Sequence, residues 1–534
     1  MYKKAQYISY RETGSFTKII LDYIDQAEQL RPFFLHSPDV EGFKKAIAQR
    51  KEYPTNRKVL CDELKHQYST VDTPDQLKRN IELLASPGTF TICTAHQPNI
   101  FTGHLYFIYK IIHVIKLADT LGRELPGNNF VPVFYMGTED ADIEELGHVY
   151  IGDKKYEWKT KQTGAVGRMK VDATLISLID EMSGQLTIYP FGTELIALLR
   201  KCFIKDIPLQ LATFRLVNEL FGNAGLVVLL PDNGKYKKAM SPIFTDDLLK
   251  RIPSEIVGET AERLSEHYKV QAHPRDINLF YLKDDIRSRI IQQKNIFKVQ
   301  DTSITFSEQE IVQELENYPE RFSPNVILRG LLQEMILPNL AFVGGGGELA
   351  YWLELKDLFT HYHIPFPVLV LRDSFLLVNK KMQLLISNLH LDTRDIFKPE
   401  SELVKDLVKQ NSSHQLTLRD QKQKATELYQ SAKYAVKEID QTLEQHVDAL
   451  QVKTLKTIDT LEKKMLKAET RKFEIQQRQI RKMKENLFPM GELQERVENF
   501  MPYYAQWEQN FLKMIYNNSL SLEQQFCVLE EGDE

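Results

Sequence analysis

Cysteine is scarce. The four in 534 residues, Cys61, Cys93, Cys202 and Cys527, are too few for a disulfide framework and lack the C-x-x-C spacing of a zinc site. A reduced compartment is the expectation. No run approaches the ~20 apolar residues of a membrane span, and the opening MYKKAQYISYRETGSF has no apolar signal-peptide core, so the chain is expected to be cytoplasmic and to have no membrane partner. An excess of one charge is missing too: 68 basic residues against 73 acidic ones leave a net charge of −5. That gives no global pull toward nucleic acid, and any anion site must be local. Glycine and proline are absent between Pro399 and Pro489, where average usage would place about ten.

That last absence defines a long helical region. Within it Ile458, Leu461, Met465 and Ala468, and then Ile480, Met483 and Leu487, recur at spacings of three and four, a coiled-coil pattern with a phase slip. From residue 416 to 487 such an arm would span on the order of 100 Å, or half that as a hairpin. It could close on its own chain or pair two chains, and dimerisation is the favoured expectation. Ahead of the arm, 43% apolar and 26% charged residues suffice for a large core. Apolar runs at residues 89–94, 130–136, 226–230, 340–343 and 367–371 alternate with helix patterns such as 105–121 and 349–361. This predicts an α/β fold with a largely parallel sheet. The stretch of about 232–323 is more polar and poorly periodic and reads as insertions on that core.

Three clusters fall where strands should end. In TFTICTAHQPNIFTGHLYFIYKIIHVIKLA, residues 89–118, an apolar run stops at His96 and Gln97, passes through Gly103 and His104, and becomes an amphipathic helix carrying Lys110. Strand–loop–helix units of this kind bind ligands at the end of open sheets; a similar unit in nucleotidyl-transfer enzymes carries H-x-G-H, of which only T-G-H is present here. Lys110 could neutralise an anion or extend over the helix's apolar face. In VPVFYMGTEDADIEEL a strand runs into five carboxylates, of which Glu139, Asp140 and Asp142 could bind an amine, orient a hydroxyl-rich substrate or hold Mg²⁺. Glu144 and Glu145 read instead as acids favourable at a helix start. No metal-ligand set can be assigned from spacing. In LAFVGGGGELAYWLEL the glycines Gly344, Gly345, Gly346 and Gly347 precede a helix that opens with Glu348 and Tyr351. A phosphate or carboxylate could rest there, although the run is neither a P-loop nor a dinucleotide fingerprint. Asn325 and Arg329 upstream and Arg372 downstream could complete a binding site.

Taken in order, TAHQPNIFTGHLYFIYKIIHVIKLA, VPVFYMGTEDADIEEL, RFSPNVILRGLLQEMILPNLAFVGGGGELAYWLELKDLF and LFPMGELQERVENFMPYY resemble the bacillithiol biosynthesis cysteine-adding enzymes (BshC) along nearly the whole chain. The resemblance implies a Rossmann-like parallel-sheet core with connecting-peptide insertions, over residues 1–375. It implies a long antiparallel α-helical coiled coil over 376–490, a helical segment over 491–534 packing back on the core, and a homodimer through the coil. It implies a ligase that joins the carboxyl group of L-cysteine to the amine of glucosaminyl-malate, the last step of bacillithiol synthesis. The family resembles nucleotide binders, so ATP or ADP is the expected cosubstrate, with an ADP site associated with the coil and the basic run 463–484. Proline commonly follows the loop glycine in the family, whereas this chain has His104. Amide formation from a carboxylate requires activation, and the core favours an adenylate, with N–H groups of the two glycine-containing loops on phosphate, Lys110 or an arginine neutralising it, and the acidic cluster on the amino sugar or Mg²⁺. On this reading His96, Lys110, Glu139, Asp140 and Asp142 are the catalytic candidates. Gln97, Gly103, His104, Asn325, Arg329, Gly344–Gly347, Glu348, Tyr351 and Arg372 are the binding ones. A nucleotidyl- or aminoacyl-transfer enzyme with another acceptor, and a non-catalytic coiled-coil scaffold, are the alternatives.

Overall fold

The computed structural model describes residues 2–414 and 416–532, Lys3 by its backbone alone. The chain divides into two units: one holds the residues up to 11, 15–377 and those from 492 on, the other 12–14 and 378–491.

The first unit is built on five strands. An apolar run gives β1 (Thr89–His96), followed by a long helix α1 (Leu105–Glu124) with thirteen buried residues that packs on the sheet. Then come β2 (Asn129–Met136), β3 (Val227–Leu229), the helix α2 (Val326–Ile336), β4 (Asn339–Gly344), the helix α3 (Gly346–Leu353) and β5 (Val368–Leu371). All four pairings are parallel, and the spatial order is β5-β4-β1-β2-β3. Strands covered on both faces read as continuous apolar runs, as these do. The order reverses between β1 and β4, the topological switch point of a doubly wound sheet, so a ligand is expected beyond their carboxyl ends.

Three features differ from expectation. The stretch of about 232–323 is not irregular: it carries helices and most of a five-stranded antiparallel sheet made from Leu279–Lys283, Ile286–Gln293, Ile296–Val299, Thr305–Phe306 and Phe322–Pro324. Its strands Ile286–Gln293, Ile296–Val299 and Thr305–Phe306 are at least partly exposed, and its two more buried strands are short, which hides the sheet from an apolar-run criterion. The helix expected over 349–361 is two helices, parted at Glu354, whose carboxylate accepts the N–H of Gln271 at 2.8 Å. The C-terminal segment, expected to be helical, ends in a strand, Gln525–Glu531, paired antiparallel with Tyr2–Ser9.

The second unit is helical. Arg419–Lys437 and Leu443–Thr470 form an antiparallel hairpin, tied by Lys422 to Asp459 (2.6 Å), Tyr429 to Thr454 (2.8 Å) and Lys433 to Asp448 (2.7 Å). Ile480, Met483 and Leu487 are buried as their spacing predicts. The seam of the longer helix is shifted, however: Leu455, Ile458, Glu462, Met465 and Glu469 are covered, while Leu461 is 51% exposed. Glu462 takes the inner place because its carboxylate accepts the N–H of Leu418 at 2.5 Å and pairs with Lys422. Among the described residues no helix is long and apolar enough to cross a membrane.

Candidate active site

The loop after β1 is strained. Phe101, Thr102 and Gly103 all have positive φ, of 49°, 70° and 69°, a conformation that costs a non-glycine residue about 1–3 kcal/mol. A Cβ on Gly103 would fall 2.9 Å from the Asn99 side chain, so glycine is required there. The loop is held from outside by Asn499, whose amide donates to the carbonyls of Phe101, at 3.0 Å, and Gly103. The chain thus turns sharply out of β1 and presents His96 and Gln97 at the strand end.

Beyond the carboxyl ends of β1, β2 and β4 lies a cavity of about 450 Å³, within the range of small-molecule sites. One wall is acidic. Asp140 accepts from Gln97 Nε2 at 3.0 Å through one oxygen, and through the other from the N–H groups of Ala141 (2.7 Å) and Asp142 (3.3 Å). Glu139 is 8% exposed and is ion-paired to the fully buried Lys237. Lys237 also reaches Asp232 at 3.2 Å, and Asp232 is gripped by Arg168 at 2.6 Å. Burial raises the Glu139 carboxyl against the pull of Lys237. Asp232, which burial alone would raise, is lowered by Lys237 and Arg168. Two cations and two anions therefore balance behind this wall.

The opposite wall is cationic. Lys110, 3% exposed, donates to the Ala95 carbonyl at 3.0 Å and pairs with Glu348; burial lowers its ammonium, and Glu348 opposes that. Glu348 in turn accepts the Gly345 N–H at 2.8 Å, so the N-terminus of α3 already carries an anion from its own first turn. Arg372 donates to Glu495 at 2.6 Å, and its Nε, sealed and without a partner, sits beside Gly345. Arg329 donates to the Tyr351 hydroxyl at 2.6 Å. The ring of Tyr106 lies 5.2 Å from that of His96 and 5.4 Å from the Arg372 guanidinium. Burial pushes the His96 imidazole well below its usual range, and Lys110 adds to this, so His96 is neutral; its Nε2 is covered and has no hydrogen-bond partner.

Of the residues singled out from sequence, His96, Gln97, Lys110, Glu139, Asp140, Asn325, Arg329, Gly345, Gly346, Gly347, Glu348, Tyr351 and Arg372 line this cavity. Four lie outside its lining. Asp142 is exposed and caps the short helix Ile143–Leu146, accepting the Glu145 N–H at 3.0 Å. Gly103 serves the turn. His104 caps no backbone group but approaches the Val497 carbonyl through Nδ1 at 3.1 Å. Gly344 ends β4, where a Cβ would meet Phe342 and Leu349 within 3 Å. Glu145, read as a helix-start acid, is in the lining. Tyr106, Tyr135, Thr138, Arg287 and Arg496 were missed. Tyr106 stands two residues beyond His104 in the loop–helix motif, and that adjacency was the one usable signal. Among the described residues no group of three or more His, Cys, Asp and Glu side chains is arranged to hold a metal ion.

A doubly wound sheet whose switch point opens into a cavity of small-molecule size, with one acidic and one cationic wall, defines a Rossmann-like protein. Residues 3–373 match the family described as "Bacillithiol biosynthesis BshC, N-terminal Rossmann-like domain", and residues 375–531 its "C-terminal coiled-coil domain". The chain belongs to the BshC family. Relatives named "Putative cysteine ligase BshC" include those of Flavobacterium johnsoniae, 39% identical over 98% of this chain and 99% of its own length, and Christiangramia forsetii, 37% identical over 99% of each. That of Cytophaga hutchinsonii is 35% identical over 93% of each.

Proposed function

We propose that this chain is a cysteine ligase of bacillithiol biosynthesis, forming an amide between the carboxyl group of L-cysteine and the amine of glucosaminyl-malate. The observation that carries the reading is the two-walled cavity at the switch point, in a chain related end to end to proteins named as cysteine ligases. Both substrates are zwitterions, and a cavity with acid on one side and cations on the other suits them. Asp140, fixed by Gln97 and two backbone N–H groups, orients the substrate ammonium. That group must lose a proton before its nitrogen attacks. Burial and Lys110 disfavour a protonated His96, so this proton leaves to the water of the cavity, and His96 offers the substrate a neutral hydrogen-bond partner. The Lys110 and Arg329 charges stabilise negative charge that develops on the carboxyl oxygen.

A carboxylate and an amine do not condense usefully in water, so a nucleoside triphosphate would supply the leaving group. The residues present fit such a phosphate, since the orphaned Arg372 Nε lies beside Gly345 and the glycine run; Lys110, Arg372 and the Gly346 and Gly347 N–H groups would hold it once Glu348 gives way. We further propose that the arm joins two copies of this chain, because Leu428, Val452 and Leu461 are each more than half exposed along it. Light scattering tests this: a dimer that becomes monomeric on Leu461→Asp is expected, and a monomeric parent protein would contradict it. The function itself is tested by thiol analysis. Cells lacking the gene should accumulate glucosaminyl-malate and lose bacillithiol, whereas normal bacillithiol in a clean deletion would reject the assignment.

A further inference from the structure

The positive charges around the cavity are unequally provided for. Lys110 has Glu348, Arg372 has Glu495, and Lys237 and Arg168 share Glu139 and Asp232. Arg329 has the Tyr351 hydroxyl, and Arg496 is exposed to water. The side chain of Arg287, on the strand Ile286–Gln293 of the inserted antiparallel sheet, has no hydrogen bond and no ion pair among the described residues, and its Nε is sealed from solvent. Its guanidinium lies 3.9 Å from the centre of the Phe280 ring, which fixes the plane of the fork. The two terminal nitrogens are neither bonded nor sealed, and the residue lines the cavity.

The neighbouring acids do not satisfy it. Glu139 is committed to Lys237, and Asp140 to Gln97 and two backbone N–H groups; neither comes within ion-pair distance of Arg287. Asp140 and Glu139 act on it only from beyond ion-pair distance, and a guanidinium withdrawn from most of its water with no paired carboxylate is costly to the fold. Its planar fork matches a carboxylate in a bidentate manner, and the cost is offset when a ligand brings one.

We propose that Arg287 anchors a carboxylate of a zwitterionic substrate whose ammonium group faces Asp140. The inserted sheet then reads the substrate as well as covering the cavity. The inference rests on the cysteine-ligase reading, in which cysteine and glucosaminyl-malate each carry an ammonium and a carboxylate.

The test uses the full chain with Arg287→Gln and Arg287→Lys. Cysteine and glucosaminyl-malate are varied separately in steady-state kinetics, and thermal unfolding is followed with no ligand and with each substrate alone. For the Gln variant, the KM of at least one substrate should rise by roughly ten- to a hundredfold, as expected for a charged hydrogen bond, with kcat little changed. The stabilisation that this same substrate gives the parent protein should disappear, and the lysine variant should recover only part of it. Without ligand the Gln variant should unfold at the same temperature or higher, since a half-sealed charge with no ion-pair partner has been removed. The substrate whose KM moves identifies the carboxylate. Unchanged KM values, a fall in kcat alone, or a lower unfolding temperature with substrate stabilisation intact would overturn the proposal. Should the parent protein form no amide, the ligase reading fails, and the unfolding shifts still decide on Arg287: equal shifts in parent and variant reject it.

Discussion

The central sheet buries charge at both of its ends, and the two ends handle it differently. At the amino ends of β1 and β4, Arg50 is 3% exposed, Glu334 0% and Asn339 2%. Arg50 donates to the carbonyls of Glu334 and Leu337, and Glu334 accepts from Asn339 at 2.7 Å and Gln333 at 3.0 Å. This is a closed network, and it even leaves one Glu334 oxygen and two Arg50 nitrogens without partners. At the carboxyl ends the same kinds of group surround a cavity, and Asp140, Glu348 and Arg287 keep some access to it. Buried charge alone therefore does not mark a site. What separates the two ends is the space into which a ligand's charge can come, and the switch of strand order that creates that space.

The comparison breaks first, and most severely, at Lys237. Replacing it with Met strands Glu139 behind the acidic wall and leaves Asp232 with Arg168 alone, and loss of one partner of a buried ionic cluster costs about 3–5 kcal/mol. Denaturant unfolding should show that loss; an unchanged midpoint would mean the wall does not depend on its counter-ion. Lys110→Met acts on function instead. It removes the central cation of the opposite wall, and turnover should fall by about a hundredfold or more, near 2.7 kcal/mol, with the fold retained. Product formation by purified protein measures this.

At the closed end Glu334→Gln should leave turnover alone and change the pH profile of stability. Burial raises the Glu334 carboxyl from 4.5 to about 7, so the folded state binds the proton more tightly than the unfolded chain does. Stability contributed by that proton is present below about pH 4.5 and is lost as pH rises to about 7. The parent should lose up to roughly 3 kcal/mol relative to the Gln variant across this window. Parallel stability curves for the two proteins would contradict the burial of an ionisable Glu334. The smallest effect belongs to Asp142→Asn. Asparagine caps a helix as well as aspartate, and the residue is outside the cavity lining, so stability within about 0.5 kcal/mol and turnover near that of the parent are expected. A large loss of turnover would return Asp142 to the site.

How much of this was legible follows from the range of the interactions involved. The β1–loop–α1 unit was, because an apolar run giving way to a helical period is local. The glycine run before α3 and the acidic strand end were visible for the same reason. Lys237 and Arg287 were not: they lie in the polar stretch after Asp232, and the fold alone brings Lys237 against Glu139, 98 residues away in sequence. Arg287 stands in IRSRIIQQ, where the alternation gives an exposed strand no apolar signature. Asp142 was overweighted because five neighbouring carboxylates look alike in sequence, whereas the backbone turn gives Asp140 to the cavity lining and Asp142 to a helix cap. In the arm, the seam was read from apolar spacing, and Glu462 took the place expected of Leu461 through contacts with the other helix of the hairpin.

The claim that the open end of the sheet makes bacillithiol is tested most directly by complementation. A bacillithiol-producing bacterium lacking its own cysteine-adding ligase is supplied at matched expression with the parent chain, Lys110→Met or Glu334→Gln, and its thiols and glucosaminyl-malate are quantified. The parent and Glu334→Gln should restore bacillithiol, while Lys110→Met, folded and equally abundant, should leave glucosaminyl-malate accumulated. Restoration by Lys110→Met to the parent's level, or failure of the parent itself, would contradict the account.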